Sequence, residues 1–195
     1  MSFLRNTLIC TALSLATLAN AQTAGGPEFE QNSKKFGDWT LECVTYKDKK
    51  EECVIFQTAK EPKEGKAEIL RLTVGKFEQD KIGVILSAPL EVALIPGIVI
   101  KLVDKDGKES NLQALMTDKD KKEQRKDIEG LSYERCMPTS CISGFPLDKI
   151  EIDRLKKGKA LNVTLAASPD RKDDVIVNLS LTGFTAAIDA MLAKK

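Results

Sequence analysis

From Phe36 to Tyr46 the chain reads FGDWTLECVTY, with Trp39, Leu41 and Cys43 on one side of a two-residue period and Thr40, Glu42 and Val44 on the other. That period belongs to a strand with one face in a core; an amphipathic helix repeats every three to four residues instead. After the polar turn Lys47-Asp48-Lys49-Lys50 the run Glu52 to Thr58 returns, and Cys43 and Cys53 stand symmetrically about Asp48. In an antiparallel hairpin they face one another within bridging distance. The alternation recurs with Leu70, Leu72 and Val74 inside 67–77, and with Ile82, Val84 and Leu86 inside 81–86. Leu90 to Ile95 and Ile98 to Val103 are further strand-like runs split by Pro96-Gly97, and the turn Asp104 to Gly107 leads into Glu109 to Met116. Turn signals about every eight to twelve residues predict an all-β fold, a mainly antiparallel β-sandwich or barrel-like domain.

The pattern breaks at 117–129 (TDKDKKEQRKDIE), where ten of thirteen residues are charged and Ile128 is the one apolar side chain. Such a segment reads as a solvated loop or exposed helical turn, with a docking surface for a charged partner as the sharper reading. Sheet returns at Leu131 to Met137. Leu147 to Lys157 predicts a short helix stopped by Gly158, with Leu147, Ile150 or Ile152, and Leu155 inward. Leu161 to Ala167 and Val175 to Leu181 complete the strands, and Phe184, Ala187, Ile188, Met191 and Leu192 form the apolar stripe of an amphipathic C-terminal helix.

Residues 1–21 have the make-up of a cleaved signal peptide: Arg5 as basic n-region, Leu8 to Leu18 as apolar core, and Ala19-Asn20-Ala21 as a small-x-small cleavage site. The apolar run is too short to span a bilayer, and no stop-transfer stretch follows, so the mature chain, starting at Gln22, is expected to carry no transmembrane segment. Residues 22–35 are expected as a flexible N-terminal segment and 36–195 as a single β domain of a size that buries its own core. Cys10 leaves with the leader. The remaining Cys43, Cys53, Cys136 and Cys141 reach an oxidising compartment, where an even number of cysteines signals disulfides. Four cysteines allow three pairings; the two local ones, Cys43 with Cys53 and Cys136 with Cys141, close around short turns. Their rings of ~11 and ~6 residues give roughly 2.8 and 2.2 kcal/mol on the loop-entropy relation.

Composition excludes several chemistries. The chain has no His, which removes Ser-His-Asp and Cys-His centres and imidazole ligands. Thirty Lys+Arg against 29 Asp+Glu, interspersed, give no basic stripe, so no nucleic-acid partner is expected. The C-x9-C and C-x4-C spacings fit neither a zinc site nor a thioredoxin-like centre. Ser132 and Ser168 have Arg three residues on, where a Ser-Lys dyad needs a base. Asp104-x-Asp106-Gly107 matches only part of a calcium loop, since Leu102 and Gln113 stand where acids belong, and reads as a hairpin turn. Glu42, Glu51 and Glu52 are candidate acid/base carboxylates only if they share a cleft. Trp39 reads as a core anchor beside a disulfide. No catalytic, cofactor or metal residues are assigned, and no cofactor is expected.

A set of ordered motifs remains: Phe36-Gly37-Asp38-Trp39, Cys43 and Cys53, Pro89-Leu90 leading to Leu94 and Gly97, Cys136-Met137-Pro138 with Cys141, and Asn178-Leu179-Ser180-Leu181 before Gly183-Phe184. In order and spacing these resemble the invasion-associated locus B family of exported alphaproteobacterial proteins, over about Phe36 to Leu192. The resemblance implies an exported, mostly β domain without established catalytic residues or a cofactor, linked to the invasion of host cells, including erythrocytes. Glu91, Ser140 and a longer charged insert depart from the pattern, so only the four cysteines are carried over, in a structural role. The first functional expectation is a non-catalytic invasion factor that presents a surface to an envelope or host-cell protein from the outer membrane, the cell surface or the medium. Its rival is a periplasmic housekeeping module that binds an envelope protein, peptide or small ligand and affects invasion indirectly. An enzyme using carboxylates is the third, and burial of Glu51 and Glu52 in one cleft is the observation that would favour it.

Overall fold

Two-residue alternation becomes sheet almost wherever one side of a segment is apolar. The computed structural model describes residues 29–48, 50–60, 68–77, 81–117 and 123–194. The leader and residues 22–28 lie outside the described residues. Strands β1 (Glu30–Phe36), β2 (Trp39–Thr45), β3 (Glu51–Lys60), β4 (Glu68–Lys76) and β5 (Ile82–Ala88) follow one another as an antiparallel meander. Next come β6 (Ile98–Val103), β7 (Glu109–Asn111), β8 (Gln113–Thr117), β9 (Glu123–Asp127), β10 (Arg135–Cys136) and β11 (Cys141–Pro146). Helix α1 (Lys149–Lys157), β12 (Ala160–Leu165), β13 (Val175–Ser180) and helix α2 (Phe184–Leu192) end the chain. A seven-stranded sheet runs β1-β2-β3-β4-β5-β11-β10, a four-stranded sheet runs β13-β12-β6-β7, and β8 and β9 make a separate two-stranded ribbon.

One core joins the two larger sheets. Trp39, Leu41, Ile55, Leu70, Leu72, Val74, Val84 and Leu86 are its wall from the larger sheet; Ile98, Ile100, Leu161, Val163, Val177 and Leu179 face them from the smaller. Helix α2 closes an end of this core, with Phe184, Ala187, Ile188 and Met191 buried as the stripe predicts and Leu192 at its margin. The fold is therefore the mostly antiparallel β class expected, with two helices and two disulfides, Cys43–Cys53 and Cys136–Cys141.

The sheets meet at a junction built from the motifs that carried the resemblance. Trp39 is fully buried, donates from Nε1 to the carbonyl of Ser180 at 2.9 Å, and meets the Phe184 ring edge-on at 5.0 Å. The buried Gln57 donates through Nε2 to the carbonyls of both Asp38 and Ser180, and the Asp38 N–H donates to Thr182 O at 3.1 Å. Gly37 (φ +58°) and Gly183 (φ +88°) let two backbones cross there: a Cβ on Gly183 would lie 1.9 Å from Phe36 O, and one on Gly37 would lie 2.7 Å from Thr182 O. Both conformations and both approaches exclude a side chain.

The structure corrects several expectations. Residues 30–35, expected as flexible, form β1, paired with β2 from Glu30↔Thr45 to Phe36↔Trp39. Its sequence shows no alternation because it is exposed on both faces and held by main-chain bonds rather than burial. Leu90 to Ile95 is a series of turns, tied by Ala93 N–H to Ala166 O at 2.7 Å and by Gly97 N–H to Leu94 O at 3.2 Å. The run from Glu109 to Met116 breaks at buried Leu112, sending β7 to the four-stranded sheet and β8 to the ribbon. Part of the charged segment is β9, and Ile128 behind it is buried with its N–H on Leu112 O at 2.7 Å. Leu131 to Met137 supplies only a bridge from Leu131 to Ile98 and the short β10. Helix α1 begins two residues later than predicted, where Asp148 accepts from the Glu151 N–H, and it buries Ile152 rather than Ile150.

Candidate functional site

The four cysteines are brought together in two cross-strand pairs, each bridging residues directly opposite in register. Cys43, Glu51 and Cys53 place ligand-type atoms within 4.8 Å of one another, yet both sulfurs are consumed in the bridge and Glu51 is held by Lys194 at 3.1 Å. Such a donor set is left with one carboxylate, which does not make a metal centre. Glu51 and Glu52, being neighbours in β3, project to opposite faces; Glu52 pairs with Lys50 at 2.6 Å in the open. They share no cleft. Asp104 spends one carboxylate oxygen on the N–H groups of Asp106 and Lys108, at 2.9 and 2.8 Å, which is a hairpin turn rather than a calcium loop.

The most buried acid lies elsewhere. Glu151 on α1 is fully buried between two guanidinium groups: Arg125 Nη2 lies 2.9 Å from Oε2, and Arg154 Nη1 lies 3.0 and 2.9 Å from Oε1 and Oε2. Arg154 also donates to Ser110 Oγ and Asn111 O, and Arg125 Nε lies 3.4 Å from Asp148 Oδ2. Bonded to both guanidinium groups, Glu151 is placed to hold the β8–β9 ribbon onto α1. Nothing in the spacing of the charged segment signalled this partner. Tyr133 has a buried Oη without a hydrogen-bond partner, and burial pushes its phenol up to about 12. It is silent near neutral pH.

What stays open is a surface at one end of the four-stranded sheet. Ile176 and Ile95 are 69% and 94% exposed, and Val175 and Leu94 are partly exposed beside them in sequence. The turns carrying Leu94 and Ile95 are fixed to this sheet by the Ala93–Ala166 bond, and Leu165 pairs with Val175 across it. A hollow of about 540 Å³ on the outer face is lined by Ile176, Pro96 and Val99 on its apolar side and by Asn162 and Glu109 on its polar side. Asn178 Nδ2 donates to Asn162 Oδ1 at 2.7 Å and Asn162 Nδ2 to Glu109 Oε1 at 2.6 Å, a polar ladder linking β13, β12 and β7. Arg171 walls the hollow from a left-handed backbone (φ +57°), paired with Asp174 at 2.8 Å and donating to Pro96 O at 3.2 Å. A non-glycine residue in that region is sustained by its surroundings. Exposed branched apolar groups beside the Lys101–Glu109 and Arg171–Asp174 pairs suit binding. Sequence reasoning missed this surface; the uninterrupted run Val175-Ile176-Val177, apolar where alternation calls for a polar residue, was the available signal.

Comparison with known proteins follows the same line. A family model described as invasion associated locus B (IalB) protein matches residues 39–192. The invasion protein B homologue of Brucella abortus (strain 2308) is 27% identical over 184 residues, covering 94% of this chain and 91% of the relative. Its counterpart in Brucella abortus biovar 1 (strain 9-941) gives the same figures. The crystal structure of invasion associated protein B from Bartonella henselae superposes with a TM-score of 0.58 at 17% identity, covering 83% of this chain and 95% of that one, and supports the fold.

Proposed function

Because the chain belongs to the invasion associated locus B family, we propose that it is an exported, non-catalytic protein that promotes the invasion of host cells, erythrocytes included, by docking an envelope or host-cell protein. Residues 22–195 are the exported form in this reading, with residues 36–195 as its domain and the four cysteines as structural staples. The observation that carries it is the exposed apolar end of the four-stranded sheet around Ile95 and Ile176, in a chain whose candidate carboxylates Glu51 and Glu52 are each ion-paired and share no cleft. A helix long and apolar enough to cross a membrane is absent among the described residues.

The test joins location to contact. Intact cells carrying the chain are shaved with protease and fractionated beside a periplasmic control, and a strain carrying Ile95→Asp and Ile176→Asp is compared in an invasion assay. Loss of the protein from shaved cells, or its appearance in the medium, together with reduced invasion by the variant, is expected. Protection until the outer membrane is opened, with invasion unchanged in the variant, would sink the direct role and leave the periplasmic housekeeping reading.

A further inference from the structure

A second surface is open where β1 edges the seven-stranded sheet. Its sequence, Glu30 to Phe36, is exposed along almost its whole length, and among the described residues the sheet order gives it β2 as its sole neighbour. The direction of its main-chain groups follows from the β2–β3 hairpin. Tyr46 N–H donates to Lys50 O at 3.0 Å, so hydrogen-bonded and non-hydrogen-bonded pairs alternate inward from there. Cys43 and Cys53, with Cα atoms 4.1 Å apart, fall on a non-hydrogen-bonded pair. Cys43 therefore turns its N–H and C=O to β1, where its partner is Asn32. Glu30, Asn32, Lys34 and Phe36 bond inward, and Gln31, Ser33 and Lys35 present their main-chain groups to the open edge.

We propose that this edge docks a second copy of the same chain, through an antiparallel β1–β1 pair with Asn32 on the two-fold axis. A two-fold pair of identical antiparallel strands must put some residue opposite itself. With Asn32 there, Gln31 and Ser33 exchange the main-chain bonds, and Glu30 of each copy faces Lys34 of the other. Shifting the axis to Ser33 sets Glu30 against Phe36; shifting it to Lys34 brings the lysines together; Gln31 on the axis sends Lys34 past the end of the strand. Only the Asn32 register pairs acid with base twice within the strand. Lysines on an edge ordinarily repel a stray strand; here Lys34, which sits over its own Phe36 ring, meets the Glu30 of a second copy, which makes the edge selective for its own kind.

The layer beneath agrees with this. Between β1 and α2 lies a hollow of about 400 Å³ lined by Leu41, Cys43 and Ala190, with Asn32 and Lys34, the residues that meet the partner, on its border. The molecule is short of packing material at the same margin where its main chain is unpaired. One added strand pair buries less than the roughly 1,200 Å² of a standard stable interface, so the association is weak. The proposal rests on β1 alone and is independent of the docking surface at Ile95 and Ile176.

Sedimentation velocity over a range up to about 1 mM tests it, using the full chain expressed with its own N-terminal segment and purified from the producing cells. The wild type is expected to form a reversible dimer that weakens with added salt. Glu30→Lys and Lys34→Glu should each weaken it about fivefold or more, and the two together should restore it, while Ile176→Asp leaves it unchanged. Circular dichroism checks that each exposed substitution preserves the fold. A monomer at every concentration overturns the proposal, as does a dimer indifferent to the single reversals or not restored by the exchange.

Discussion

Two places hold the molecule together by opposite means. At the junction of Trp39, Gln57, Ser180 and Gly183, main-chain carbonyls, an indole N–H and crossing glycines join the sheets without a charged side chain among the groups named. At the ribbon, a fully buried carboxylate between Arg125 and Arg154 does the joining. The first depends on shape: atoms are so close that the backbone itself is the fit. The second depends on charge balance, in which desolvating three ions offsets much of what their attraction contributes. A shape-based contact cannot be replaced without rebuilding it, whereas a charge-based one can be exchanged for apolar packing provided that all its members leave together.

The largest effect should come from Gly183→Ala. Its Cβ would sit 1.9 Å from Phe36 O on a residue with φ +88°, so a loss of about 4 kcal/mol or more, or failure to fold, is expected in urea denaturation. A loss below about 1 kcal/mol would show that the crossing relaxes easily and end the contrast. Next, Glu151→Ala should cost about 3 kcal/mol, because the Arg154 guanidinium loses its counter-ion and Arg125 is left with Asp148 alone, at 3.4 Å. Replacing Arg125, Glu151 and Arg154 together by Met, Leu and Met should return stability to within about 1 kcal/mol of the wild type. If the triple variant is as weak as the single one, the latch is as shape-dependent as the junction.

Tyr133 supplies the smallest and subtlest test, since its ring packs against the core while its Oη is buried without a partner. Its phenol is raised from 10.0 to about 12 by burial, so the folded state keeps a proton that the unfolded state gives up. Its contribution is fully present below about pH 10 and is lost as pH rises through about 12. Tyr133→Phe should flatten that fall relative to the wild type in denaturation series across this window, with near-equal stability at neutral pH. Parallel falls in both proteins would mean that the phenol titrates as freely folded as unfolded.

The same contrast explains what the sequence made legible. Strands such as β2, β4 and β12 declare themselves because burial of one face writes alternation into the residues, and Cys43 and Cys53 because symmetry about a turn is visible in a line of letters. The junction glycines were visible only as part of a resemblance: what makes Gly183 necessary is Phe36, far away in sequence. Charge misled more thoroughly. Residues such as Arg125 usually mean solvent, and nothing local to 117–129 announces a buried acid on a helix that comes later. β1 was missed for the reverse reason, since a strand held by its main chain alone leaves no trace in its side chains. Ile176 was hidden inside Val175-Ile176-Val177, where every position is apolar and the outward one cannot be singled out.

The register of the two disulfides sets an order of events. Each joins residues directly opposite on adjacent strands, at sequence separations of 10 and 5, whereas the bond from Trp39 to Ser180 spans 141 residues. A polypeptide that emerges N-terminus first has all the residues of both staples in hand while the strand carrying Ser180 is still to come. Each staple needs only its own local hairpin, whereas the clasp that shuts the shell, β13 with α2, waits for the last segment of the chain.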